Sequence, residues 1–171
     1  MSPFHFKVKY RLVELQQFSG LEASVYSVFL VNEGKTLFDK FIEENKAANL
    51  QELLSIVRRL KSIGNVTGAR EQYFKLEEGK PGDLVCALYD EPEKYLRLYG
   101  IRHGKTLIIL GGGGLKDVRA WQDDPKLTQE VKIMMQVSND IDQRMQEGDI
   151  YFSDDYFNFE GELTFNDYDQ E

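Results

Sequence analysis

Six residues that can handle phosphate or protons crowd one short stretch: Arg97, Arg102, His103, Lys105, Lys116 and Arg119, with Tyr95 and Tyr99 among them. Arginine and lysine on a strand and its exit loop grip phosphates and neutralise a charged phosphoryl transition state. A histidine of ordinary pKa titrates near neutrality and serves as a general acid or base, a role open to His103. Tyr95 and Tyr99 offer ring faces on which unpaired bases stack. The plainer reading of the same residues is a solvated strand face carrying scattered cations. Composition leaves both open.

The support for this cluster is a hairpin. Two strand-like runs, Tyr95 to Arg102 and Thr106 to Leu110, flank the turn residues His103-Gly104-Lys105. The first run alternates, with Arg97 and Tyr99 on one face and Leu96 and Leu98 on the other. The second is apolar on both faces, as expected of a strand inside a covered sheet. Gly111 to Gly114 follow. They satisfy neither phosphate-loop pattern: no Gly-Lys-Ser/Thr comes at the required spacing, and Lys116 stands where a dinucleotide fingerprint needs glycine. They predict a backbone that bends sharply on leaving the sheet, or one that a ligand approaches closely.

Around the hairpin the chain reads as β-β-α-α-β-β-β-α, an α+β domain with one largely antiparallel sheet. Phe4 to Leu15 alternates, with Phe4, Phe6, Val8, Tyr10 and Leu12 on one face and Lys7, Lys9 and Arg11 on the other. Ala23 to Val31 is its expected hairpin partner. Thr36 with Asp39, and Asn49 with Glu52, read as capping-box starts of two helices, the second ending near Gly64. Asn65 to Asp83 is a loop with a short extended piece around Gln72 to Leu76. Leu84 to Tyr89 is a strand, turned by Asp90-Glu91-Pro92-Glu93. Asp124 and Pro125 open a last helix with the stripe Leu127, Val131, Met134, Ile141 and Met145, closed by Gly148.

Charge is unevenly spread. The net charge of −8 hides nine Asp/Glu and no Lys/Arg between Glu147 and Glu171, so the other 146 residues hold 20 acids against 21 bases. The chain divides into a body, residues 1–149, and an acidic-aromatic extension, 150–171, in which seven aromatics favour packing on the body, with an added strand at Glu162 to Phe165. The charge split also suggests that this tail lies over the basic hairpin as an RNA mimic. No apolar run spans a bilayer, the N-terminal segment lacks the apolar block of a signal peptide, and one cysteine, Cys86, suits a buried position in a reducing cytoplasm. Two histidines far apart and one cysteine predict no metal site, and no cofactor pattern is present.

From Ala23 to Gln146 the chain resembles the RelE/HigB superfamily of bacterial toxin–antitoxin toxins, nearest the phage-related branch. The matching features are VFLVNEGKTLFDKFI with ELLSIVRRLKSIG, then REQYFKLEEGKPG, LVCALYD, Tyr-Leu-Arg-Leu-Tyr, and LIILGGGGLK before a C-terminal helix. The resemblance implies a curved antiparallel sheet, a cytoplasmic antitoxin partner and metal-independent cleavage of messenger RNA, usually on the ribosome. By position it implies roles for Lys116, Arg97, Lys75 and Arg70. Arg102, Arg119 and His103 join them by proximity, not by match. Tyr89-Asp90 stands where the family often has an arginine. That departure supports an alternative, a catalytically inactive relative that binds protein or RNA through the same face.

Overall fold

Leu107, Ile108, Ile109 and Leu110 are all completely buried, so their strand must be covered on both faces, and the architecture follows from that. The computed structural model describes residues 4, 6–89 and 95–167. In chain order the elements are β1 (Tyr10–Glu14), β2 (Ser24–Leu30), β3 (Lys35–Thr36), α1 (Leu37–Asn45), α2 (Leu50–Ser62), β4 (Phe74–Lys75), β5 (Val85–Leu88), β6 (Leu96–His103), β7 (Leu107–Leu115), α3 (Pro125–Glu147), β8 (Ile150–Phe152), β9 (Phe159–Gly161) and β10 (Thr164–Phe165).

The main sheet runs β10-β1-β2-β7-β6-β5-β4, with β3 beside β2, and β8 pairs with β9 separately. Neighbours are antiparallel except β2 and β7, which run parallel at its centre. The result, among the described residues, is a mixed α+β fold with a large, mostly antiparallel sheet and three α-helices. On one face Tyr26, Ala87, Tyr99, Ile101, Leu107 and Ile109 pack under Leu127, Val131, Met134 and Val137 of α3. On the other, Val25, Cys86, Leu98, Ile108 and Leu110 meet Phe38, Phe41, Leu53, Ile56 and Leu60 of α1 and α2. No helix among the described residues is long and apolar enough to cross a membrane.

Local chemistry explains most boundaries. Thr36 Oγ1 accepts the Asp39 N–H while the Asp39 carboxylate accepts the Thr36 N–H, both at 2.9 Å, the reciprocal cap of α1. Asp124 Oδ1 caps α3 at the Leu127 N–H, Pro125 follows, and Gly148 closes it at φ +81°. The expected box at Asn49 and Glu52 does not form. Asn49 makes no side-chain cap, and Glu52 turns away to accept the N–H groups of Tyr95 and Leu96 at 2.7 and 3.2 Å.

The expected elements occur in the expected order. The extended piece around Gln72 to Leu76 contains β4, the expected strand at Glu162 to Phe165 contains β10, and β3, β8 and β9 are added among the described residues. Regular pairing of the first strand starts at Tyr10 rather than Phe4. The turn at Asp90–Glu93 lies outside the described residues. The glycine run needs correction. β7 does not leave the sheet at Leu110 but continues through Gly111–Gly114 to Leu115, with a bulge at Gly111–Gly112 opposite Tyr99. What approaches the glycines is α3 rather than a ligand: a Cβ on Gly111 or Gly112 would overlap Met134 or the Glu130 carboxylate. One on Gly113 would overlap the Arg97 carbonyl oxygen, where the β6–β7 register shifts between Leu98 and Gly100.

The C-terminal stretch packs on the body. Ile150, Phe159 and Phe165 are buried, Phe165 stacks on Tyr10 at 4.7 Å between ring centroids, and β10 pairs with β1. Arg144 lies over the Phe165 ring and donates to the Glu162 and Thr164 carbonyls, both at 2.6 Å.

A candidate phosphate-binding site

Register decides which candidate residues meet. Arg97 pairs with Gly114, Tyr99 with Ala87, and Ala87 with Lys75, while the Lys116 N–H donates to the Tyr95 carbonyl at 2.8 Å. Residues directly opposite in antiparallel strands share a face. Tyr95, Arg97, Tyr99, Lys116 and Lys75 therefore all belong to the face that α3 covers further along. Gly114 opposite Arg97 carries no side chain, and a Cβ there would meet Leu127 at 3.5 Å, so the start of α3 packs beside Arg97.

A carboxylate sits at the centre of this group. Glu78 is 7% exposed, held by its N–H to the Val85 carbonyl at 2.9 Å, with the Lys75 ammonium 3.8 Å from its Oε2. It is turned inward by Glu77, whose φ of +58° lies in the left-handed region. Burial raises the Glu78 pKa above the ordinary carboxylate range, against the opposing pull of Lys75, Lys116 and Arg97. Lys116 shifts the other way. Desolvation first, then the neighbouring Lys75 and Arg97 charges, lower its pKa, and Lys75 comes within hydrogen-bonding reach of it. Arg97 donates to the Leu96 carbonyl at 3.2 Å and lies 5.0 Å from the Tyr89 ring centroid. Three cations thus face one carboxylate, and two of the cations crowd each other. An oxyanion between the ammonium groups would relieve their repulsion, so the arrangement can accept an anion.

The other candidates lie elsewhere. Tyr99 is completely buried, its hydroxyl has no hydrogen-bond partner among the described residues, and burial pushes its pKa well up. It cannot stack on a base; that expectation fails because α3 covers the middle of the strand. His103 lies at the far end of β6, six residues from Arg97, or about 20 Å along an extended strand. Its ring packs between Phe152 and Phe159 at 5.6 and 5.4 Å, Nε2 is buried without a partner among the described residues, and desolvation lowers its pKa to about 4. It is neutral at pH 7 and remote from Lys116, which corrects its reading as an acid or base for this cluster.

Arg102 is also at that far end, facing the opposite side of the sheet. It donates from Nε to the Ala69 carbonyl at 2.7 Å and reaches Glu71 at 3.8 Å, tying down the loop before β4. Arg70 and Lys105 are exposed nearby, joined through the Ala69 N–H to the Lys105 carbonyl at 2.8 Å. Arg119 is exposed three residues beyond Lys116. The single basic patch expected around the hairpin is therefore two groups at opposite ends of β6. The C-terminal hairpin β8–β9 covers the His103 end with aromatic rings, and Tyr156 contributes a carbonyl to the Thr106 hydroxyl at 2.6 Å. Among the described residues its acids are not neighbours of Lys116; the tail packs at the opposite end of β6.

Sequence reasoning missed Glu78 and Tyr89. The available signal for Glu78 was its three-residue spacing from Lys75 in KLEE, but the inward turn at Glu77 is invisible in that pattern. Cys86 is buried, and its thiol is pushed up to about 12 by desolvation, as befits a core residue. Comparison with protein-family models, with curated proteins and with solved structures finds no match to this chain.

Proposed function

We infer that the chain is a metal-independent endoribonuclease of the RelE/HigB type, acting on messenger RNA at the Lys75–Glu78–Arg97–Lys116 cluster. The observation that carries this reading is the convergence of three cations on one buried carboxylate, from segments that are distant in sequence. The resemblance from Ala23 to Gln146 supports it by position for Lys75, Arg97 and Lys116. Under this reading the partners are the transcript, on or off the ribosome, and an antitoxin protein.

The chemistry follows from the charges. Glu78, with its raised pKa, takes the proton of an RNA 2′-hydroxyl as that oxygen forms a bond to the adjacent phosphorus. Arg97 and Lys75 hold the phosphoryl oxygens as their negative charge grows from one to two. Lys116, with its lowered pKa, gives a proton to the departing 5′-oxygen as the phosphorus–oxygen bond breaks. The products are a 2′,3′-cyclic phosphate and a 5′-hydroxyl. Glu78 ends with the proton of the 2′-hydroxyl and Lys116 is left one proton short, so solvent must take a proton from Glu78 and return one to Lys116 before the next turnover.

The test is cleavage of single-stranded RNA by purified protein in a chelator, with and without ribosomes. Cyclic-phosphate ends should appear, and Glu78→Gln and Lys116→Ala should each lower the rate about 100-fold or more. The rate should rise with pH as Glu78 ionises and fall as Lys116 deprotonates, above the ordinary carboxylate range and below the ordinary lysine range respectively. Binding of RNA without any cut would replace the enzyme by an inactive binding module.

A further inference from the structure

Tyr95 differs from Tyr99 in the way that matters for a ligand: its ring is 59% exposed. Its backbone is clamped on both sides. Glu52, in the first turn of α2, accepts its N–H at 2.7 Å and that of Leu96 at 3.2 Å, while the Tyr95 carbonyl accepts the Lys116 N–H at 2.8 Å. The register continues past the end of β6, so the Tyr95 ring shares its sheet face with Arg97 and lies directly across from Lys116. An open aromatic ring has thus been fixed beside an anion-binding cluster by hydrogen bonds that spend a helix's capping carboxylate on the task. A tyrosine needed only for the core would be sunk like Tyr99. One needed only for solubility would gain nothing from a clamped backbone.

We propose that Tyr95 is a nucleobase subsite, stacking on the unpaired base next to the phosphate held by Lys116 and Arg97; this rests on the ribonuclease reading above. The ring gives π-face contact with any base, so the substrate class is single-stranded RNA with little sequence preference at that position. A paired base, already stacked in a duplex, cannot present its face to it. The cluster supplies the charge and Tyr95 the discrimination between strand states.

The experiment uses the full chain and a short 2′-O-methyl oligonucleotide, which cannot be cleaved, as a single strand and as a duplex of the same sequence. Binding is followed by fluorescence anisotropy, and folding of each variant by circular dichroism. Tyr95→Ala should weaken single-strand binding about tenfold while leaving the salt dependence and duplex binding unchanged. Tyr95→Phe, which keeps the π-face, should bind as the natural chain does. Lys116→Ala should weaken both forms and flatten the salt dependence. If Lys116→Ala weakens binding and Tyr95→Ala does not, or if Tyr95→Ala weakens the duplex equally, the subsite is overturned while the phosphate site stands. If the natural chain binds neither form, the ribonuclease reading falls and takes the subsite with it.

Discussion

His103 is the residue whose surroundings most change its chemistry. An imidazole wedged against Phe152 and Phe159 with Nε2 sealed off costs much to protonate, and its pKa drops to about 4. The folded chain therefore binds fewer protons than the unfolded chain between roughly pH 6.5 and 4. Stability from this residue is full above that window, is lost as pH falls through it, and levels off below it. The loss should be about 2 kcal/mol, discounted from the full shift because the ring edge keeps some solvent contact. Urea denaturation of the natural chain and of His103→Phe across pH 4 to 8 should show it: the variant loses that part of the slope. Parallel curves would mean that the hairpin yields locally and hydrates the ring. Burial likewise displaces Glu78 upward and Lys116 downward, each against the pull of the other's charge. Shifts of those signs bring the titrations of a carboxylate and an amine closer together.

At the scale of elements, the glycine run shows how one residue type serves different ends within four positions. Gly113 lies against the Arg97 carbonyl at the β6 register shift, and backbone cannot move aside as a side chain can. Gly113→Ala should cost about 2–3 kcal/mol by prying β6 from β7. Gly114→Ala, whose added methyl would meet Leu127 at an ordinary 3.5 Å, should stay within about 0.5 kcal/mol. Thermal melts of the two variants separate them, and equal losses would put the strain in the strand rather than at the bulge. Because Arg97 follows the same local geometry, Gly113→Ala should also lower RNA binding in excess of its effect on folding. Glu52 carries a related lesson. A residue placed correctly for a capping box was recruited by a neighbouring strand end, because two N–H groups on Tyr95 and Leu96 offered it better partners than its own helix.

At the scale of the whole molecule, the C-terminal extension is structural. It buries Ile150, Phe159 and Phe165, supplies strand β10 and closes the sheet at β1. Three such side chains are worth roughly 2 kcal/mol each, a sum comparable to the whole stability of a domain this size, about 5–15 kcal/mol. A chain ending at residue 149 should therefore lose its cooperative unfolding transition rather than gain RNA affinity. A truncated chain with an unchanged melting temperature would refute that. The amino-acid sequence by itself determined the eight main elements, their order, the caps at Thr36 and Asp124, and the doubly buried strand at Leu107–Leu110. These depend on periodicity and hydrogen bonds a few residues apart, which the one-dimensional pattern contains. It also singled out the lysines and arginine that converge. Only the tertiary structure decided that Tyr95 is open while Tyr99 is sunk, that His103 is sealed at the wrong end of β6, and that Glu78 stands among the cations. Those outcomes turn on strand register, on a bulge at Gly111–Gly112 opposite Tyr99 and on the depth at which α3 settles, each set by residues far away in the chain.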